Sequence, residues 1–297
     1  MWVLLALCSA LFLGIYDIFK KKSLNENAVV PVLFISLLIS TVLMSPAWIV
    51  SQFTTENDGF QFYMPQQDLH THLLIMLKAV FVTGSWLCGY FAIKHLPITI
   101  FAPIRATQPL WTVIGAMIIY SEDLSPYQWL GVCITLTFFF LFSTTGHKEG
   151  IYWKSNKWIW LIIGATLLGA ASGIYDKHLL RHINKNSIQF FCSFYQTILM
   201  LVMLLCLWWP THKKTTPFQW RWSIVGISGF LMIADYMYYW ALSDTDSLIS
   251  VVSTIRRSGA IVSFLYGATL LREKNLRTKG IYLAGVLTGV ALLVLKQ

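Results

Sequence analysis

The chain has 297 residues, of which 56% are hydrophobic and only 12% charged, and its mean hydropathy is +0.62. A water-soluble domain carries about 25% charged residues, so this composition excludes a soluble enzyme and makes lipid the solvent for most of the surface. The net charge of +9 and the pI of about 9.3 would suit nucleic acid, but in a membrane chain they read as Lys and Arg in cytoplasmic loops, with no nucleic-acid partner.

A bilayer core needs about 20 apolar residues per helix. Ten runs of about that length follow one another at 2–19, 28–50, 72–93, 97–120, 127–144, 158–175, 187–209, 222–242, 247–271 and 280–295. The first lacks a basic leader and a small-residue cleavage site, and reads as a retained helix rather than a signal peptide. The longest polar gap, 51–69, reads as a surface loop. Five cysteines lie in apolar runs without a C-x-x-C pair and read as small buried hydrophobes.

Three motifs recur in order. Gly14-Ile15-Tyr16-Asp17 closes the first run, and Gly173-Ile174-Tyr175-Asp176 closes the sixth, 159 residues later. Gly89-Tyr90-Phe91-Ala92-Ile93 near the end of the third resembles Tyr238-Tyr239-Trp240-Ala241-Leu242 near the end of the eighth. Arg105 stands 17 residues before Glu122, and Arg256 stands 17 before Glu273. The pattern divides the chain into a repeat at 1–146, a linker at 147–156 and a second repeat at 157–297. Five helices is an odd number, so the second repeat enters the membrane from the opposite side. The expected fold is an all-α integral membrane protein of ten transmembrane helices, built as two inverted five-helix repeats. Secondary transporters use this architecture and bind substrate near the midplane between repeats.

The aromatic-Ala-Leu-like helix ends, with the junctions Glu122-Asp123-Leu124 and Glu273-Lys274-Asn275-Leu276, resemble the drug/metabolite transporter superfamily, in particular its ten-helix EamA-like branch. The resemblance spans both halves. It implies a permease that moves a small metabolite by alternating access and leaves the substrate open. The halves differ where Pro109 of the first is matched by Ser258-Gly259 of the second.

Seven ionisable residues fall within these runs or at their ends: Asp17, Lys78, Arg105, Asp176, Asp235, Arg256 and Arg257. A charge at the bilayer centre costs at least about 2.5–3.5 kcal/mol, so it normally faces a partner or a cavity. Arg105 and Arg256 each sit about one turn from the midplane of their runs, entering from opposite sides. Their forked guanidinium groups suit an anionic or zwitterionic substrate. The expected substrate contacts are Arg105, Arg256, Tyr90, Trp86, Tyr239 and Asp235; an Arg–Asp235 pair that only locks two helices is the structural alternative. Asp17, Asp176 and Arg257 are candidates for gating or coupling, although the two aspartates would also serve as interfacial ion pairs near Lys20–Lys22 and Lys177–Arg181. Arg257, about 100° further round the helix, is expected to point away from Arg256. Lys78 is expected to reach the membrane surface along its own stem.

No phosphate-binding loop, H-E-x-x-H or G-x-S-x-G sequence occurs, and the seven histidines make no convincing metal site. No metal or other cofactor is expected. The partners are a small-molecule substrate and membrane lipids, with a coupling proton or a counter-substrate. A lipid flippase is the alternative, and a membrane-embedded enzyme fits less well. The short termini suit a multi-pass protein of a bacterial plasma membrane.

Fourteen of the 22 Lys and Arg fall in odd-numbered loops and four in even-numbered loops and the C-terminus, which predicts odd loops in the cytoplasm. A cysteine engineered into 51–69 should therefore react with an impermeant maleimide added outside intact cells. Protection there, with labelling at 148–157, would reverse the orientation.

Overall fold

The computed structural model describes residues 1–55, 58–120, 156–212, 216–244, 247, 249–269 and 276–292, together with helical positions scattered between 125 and 141. No strand occurs among the described residues. The helices are α1 (Trp2–Leu24), α2 (Val29–Ser51), α3 (Leu69–His95), α4 (Ile98–Ala106), α5 (Gln108–Tyr120), α6 (Lys157–Leu180), α7 (Lys185–Met203), α8 (Ser223–Leu242), α9 (Ile249–Arg257), α10 (Ala260–Thr269) and α11 (Leu276–Leu292). A π-helical turn, Leu204–Trp208, extends α7. Among the described residues six helices, α1, α2, α3, α6, α7 with its extension, and α8, are each long and apolar enough to cross a membrane.

The bundle is apolar outside, and its buried polar groups are set into a largely apolar core. Leu4, Leu7 and Leu11 form one exposed stripe on α1, and Leu73, Leu77 and Val80 form another on α3. Buried hydroxyls join the helices. Ser9 Oγ on α1 donates to Ala234 O on α8 at 2.7 Å, and Ser85 Oγ on α3 donates to Ala165 O on α6 at 2.6 Å. Thr41 on α2 and Thr197 on α7, 156 residues apart, meet hydroxyl to hydroxyl at 3.0 Å. The most extensive packing runs between the two halves of the chain: α1 lies on α8, α3 on α6, and α2 on α7.

The apolar runs at 97–120 and 247–271 are each two helices rather than one. Pro109 lacks the N–H that the Arg105 carbonyl would accept in a continuous helix. The backbone tightens instead, and Thr107 N–H bonds Ile104 O at 3.2 Å. Between α9 and α10, Ser258 N–H bonds Ile255 O at 3.0 Å, and Ile261 N–H bonds Ser258 O at 2.9 Å. Each break rests on a helix of the other half. A side chain on Gly259 would strike the Ala10 carbonyl, and one on Gly14 would lie 2.5 Å from the Gly259 carbonyl oxygen. Gln108, at the first break, lies over Gly169 of α6, where an added Cβ would meet its Oε1 at 2.8 Å. Small residues at these places let backbones approach, as in other membrane bundles.

At the end of the bundle that holds the α2–α3 loop, Asn186 Nδ2 donates to Gln61 O at 3.0 Å and to Tyr63 O at 3.1 Å. The loop closes on Asp68, which caps α3 by accepting from Thr71 N–H at 3.0 Å. The Thr71 hydroxyl, and then this N–H, hold the Asp68 carboxyl below its ordinary pKa.

The close contact at the second break generates a sharp expectation. Gly259→Ala should destabilise the protein by about 1–3 kcal/mol, as overpacking does, and lower its melting temperature in detergent. Gly164→Ala is the control, because a Cβ there meets nothing within 4 Å. Equal melting of the two variants would contradict the packing described.

Candidate functional site

A central cavity of about 100 Å³ lies between α1, α3, α4, α5, α6, α8 and α9. All nine residues selected from the sequence line it: Arg105, Arg256, Tyr90, Trp86, Tyr239, Asp235, Asp17, Asp176 and Arg257. The helices that supply them come from both halves, and the two helix breaks place Arg105 and Arg256–Arg257 in the final turns of α4 and α9.

The lining side chains form two clusters. In the first, Lys20 Nζ bonds Asp17 Oδ1 at 2.5 Å, one turn along α1. The ammonium sits 4.5 Å from the Tyr16 ring centroid, 5.0 Å from Phe101 and 5.3 Å from Tyr90, an aromatic seat for a cation. Tyr16 and Tyr90 face each other hydroxyl to hydroxyl at 3.4 Å. Arg105 donates to Ala165 O at 2.7 Å and reaches Ser85 Oγ at 3.4 Å. In the second cluster, Lys78 of α3 forms an ion pair with Asp176 of α6, and Arg256 of α9 forms one with Asp235 of α8. Tyr238 joins the two pairs: its hydroxyl donates to Asp176 Oδ2 at 3.3 Å, and its ring lies 4.2 Å from the Arg256 guanidinium carbon. Lys78 Nζ lies 5.1 Å from the centre of the Tyr239 ring.

Five readings from the sequence need correction. Lys78 does not reach the surface; it is 1% exposed, because Asp176 gives it a counter-ion inside. Asp176 pairs with Lys78, and its side chain lines the cavity instead of sitting at the interface beside Lys177 and Arg181. Lys20 is not a loop residue, since α1 continues to Leu24 and buries it. Asp17 is paired with it, but within the cavity rather than at the interface. Arg257, expected to point away, lines the cavity with Arg256, because α9 ends at that residue. The junctions at 122–124 and 273–275 and the linker at 147–155 lie outside the described residues.

Sequence reasoning missed Tyr16, Lys20, Phe101, Gln108 and Tyr238 as cavity residues. Tyr16 and Tyr238 belong to the repeated motifs themselves, so the repeat could have pointed to them. Among the described residues, no group of three or more His, Cys, Asp or Glu is placed to hold a metal ion.

The model of the EamA-like transporter family matches residues 1–144 and 156–295. The chain also resembles a crystal structure of a protein over 98% of its own length and 95% of the other chain, at 15% identity and a TM-score of 0.68. That likeness extends to the fold alone. None of the curated proteins compared matches the chain.

The Lys78–Asp176 pair is deeply buried, with side-chain exposures of 2% and 6%. Removing one partner of such a pair typically costs about 3–5 kcal/mol, whereas replacing both with apolar groups is often neutral. Lys78→Met should therefore lower the melting temperature, and Lys78→Met with Asp176→Leu should recover most of it. A double variant no better than the single would show that the lysine acts through something other than charge.

Proposed function

We propose, for a chain that belongs to the EamA-like transporter family, that it is a secondary transporter carrying a small metabolite with an anionic group by alternating access. The observation that carries this reading is the cavity itself. It gathers five cationic and three carboxylate side chains, with tyrosines, at the meeting of two broken helices from opposite halves. Isolated half-helices around a polar cavity are how secondary transporters expose backbone and charge to a substrate without exposing them to lipid. In this reading Arg105, Tyr90, Trp86 and Tyr239 contact the substrate, and Arg256 with Asp235 forms a pair that the substrate shares or displaces. Asp17 and Asp176 serve as gates, and a proton or counter-substrate completes the cycle. The membrane is a plasma membrane, with the odd-numbered loops in the cytoplasm.

Three observations support ten helices in two inverted repeats over 1–146 and 157–297. Jointly, α4 with α5 and α9 with α10 reach about 30 Å at about 1.5 Å per residue, enough to cross the hydrocarbon. The packing pattern is unchanged when the halves are exchanged: α1 on α8 mirrors α6 on α3, and α2 meets α7 through Thr41 and Thr197. Each helix break rests on a small-residue stretch of the helix that carries the Gly-Ile-Tyr-Asp motif of the other half. An experimental structure in which 1–146 and 157–297 do not superpose about a twofold in the membrane plane would remove this reading.

A metabolite panel screened by thermal shift on purified protein, followed by uptake into liposomes, tests the function. At least one anionic metabolite should raise the melting temperature and be taken up. Arg105→Gln should cut uptake about ten- to a hundredfold with expression and folding intact, since a lost hydrogen bond to a charged group costs about 1.5–3 kcal/mol. Normal uptake by Arg105→Gln would sink the anionic reading.

A further inference from the structure

The cavity's charges do not balance. Lys20, Lys78, Arg105, Arg256 and Arg257 face three carboxylates, Asp17, Asp176 and Asp235. Each carboxylate is already matched, to Lys20, Lys78 and Arg256 in turn. Among the described residues, Arg105 and Arg257 are in no ion pair. Arg105 bonds only neutral acceptors, the Ala165 carbonyl and the Ser85 hydroxyl. The Arg257 Nε is buried without a hydrogen-bond partner. Both residues also line a small space of about 10 Å³ beside Asp17, Arg256 and Gly259, at the break between α9 and α10. Two uncompensated guanidinium groups around one cavity repel each other and have lost much of their hydration, so the arrangement is unfavourable until an anion enters.

Resting on the transporter reading above, we infer that Arg105 and Arg257 together hold a substrate bearing two negative charges, a phosphate or phosphonate monoester or a dicarboxylate. Arg257 is then a binding residue that sets the charge of the cargo, not a gate. The same inventory disfavours a zwitterion such as an amino acid. An ammonium group would need a free carboxylate or an aromatic seat. The carboxylates are all paired, and the seat formed by Tyr16, Tyr90 and Phe101 is filled by Lys20. A dianion needs neither, and it supplies the opposite charge that both guanidinium groups lack.

The test is a melting curve of the purified protein with succinate, sulfate, inorganic phosphate and a sugar phosphate, against acetate and glycine, at concentrations below general salting effects. A ligand that binds only the folded state raises the melting temperature. The dianions as a class should stabilise more than acetate or glycine. Arg257→Gln should weaken the best dianion by about tenfold or more and erase its advantage over acetate. Its unliganded melting temperature should be unchanged or higher, because an unpaired, half-buried charge has gone. Arg257→Lys, which keeps charge but not the fork, should fold and show an intermediate response. Acetate or glycine equal to the dianions would overturn the two-charge inference while leaving the transporter reading intact. No response to any dianion would overturn it too, and the uptake of Arg105→Gln then judges the transporter reading separately. A lower unliganded melting temperature in Arg257→Gln would make Arg257 a structural residue and overturn the assignment.

Discussion

A charge inside a bundle whose outer face is hydrocarbon must meet an opposite charge, a dipole or a cavity, because lipid supplies none of these. The interior of this protein is arranged around that constraint. Three carboxylates and three cations are matched within or between helices, and the remaining two guanidinium groups open on the central space. The helix breaks serve the same need. They end α4 and α9 within a turn of Arg105 and Arg257, so that both arginines face the centre of the bundle rather than its surface. Glycine and alanine on α1 and glycine on α6 let those breaks lie close against a neighbouring backbone.

Much of the site was readable from the repeat. The matches of Asp17 to Asp176, Tyr90 to Tyr239 and Arg105 to Arg256 selected residues that line one cavity, although nothing in composition brought them together. What the repeat could not give was pairing. Lys78 and its counter-ion stand 98 positions apart on different helices, so taken alone it looked like a lysine near a membrane surface. Lys20 was lost for a different reason. Hydropathy falls at the first lysine of a run, but the helix continues to Leu24 because cation–π contacts and Asp17 make its burial tolerable. The breaks had local signals, Pro109 and Ser258-Gly259, but an apolar run conceals a turn that keeps nearly helical hydrogen bonding.

The two clusters are built from similar parts and joined differently. Asp17 finds its cation on its own helix, so α1 can shift as a body without separating that pair. Asp176 finds its cation on α3 and a hydroxyl on α8, and the Tyr238 ring passes the link on to Arg256 of α9. Moving α6 away from α3 therefore breaks an ion pair that moving α1 leaves alone. The contact of α3 with α6 is thus held by an ion pair that, among the described residues, has no counterpart between α1 and its neighbours.

The same difference has a consequence in time. The chain is synthesised from its N-terminus, and its helices enter the bilayer before most of their eventual neighbours exist. Lys20 carries its counter-ion one turn away and is neutralised as soon as α1 forms. Lys78 is made 98 residues before Asp176, and α3 must wait in the membrane, or against the insertion machinery, with a bare ammonium until α6 arrives. The interval between those two helices is the exposed stage of this protein's biogenesis, when a quality-control protease would recognise an unpaired charge in lipid.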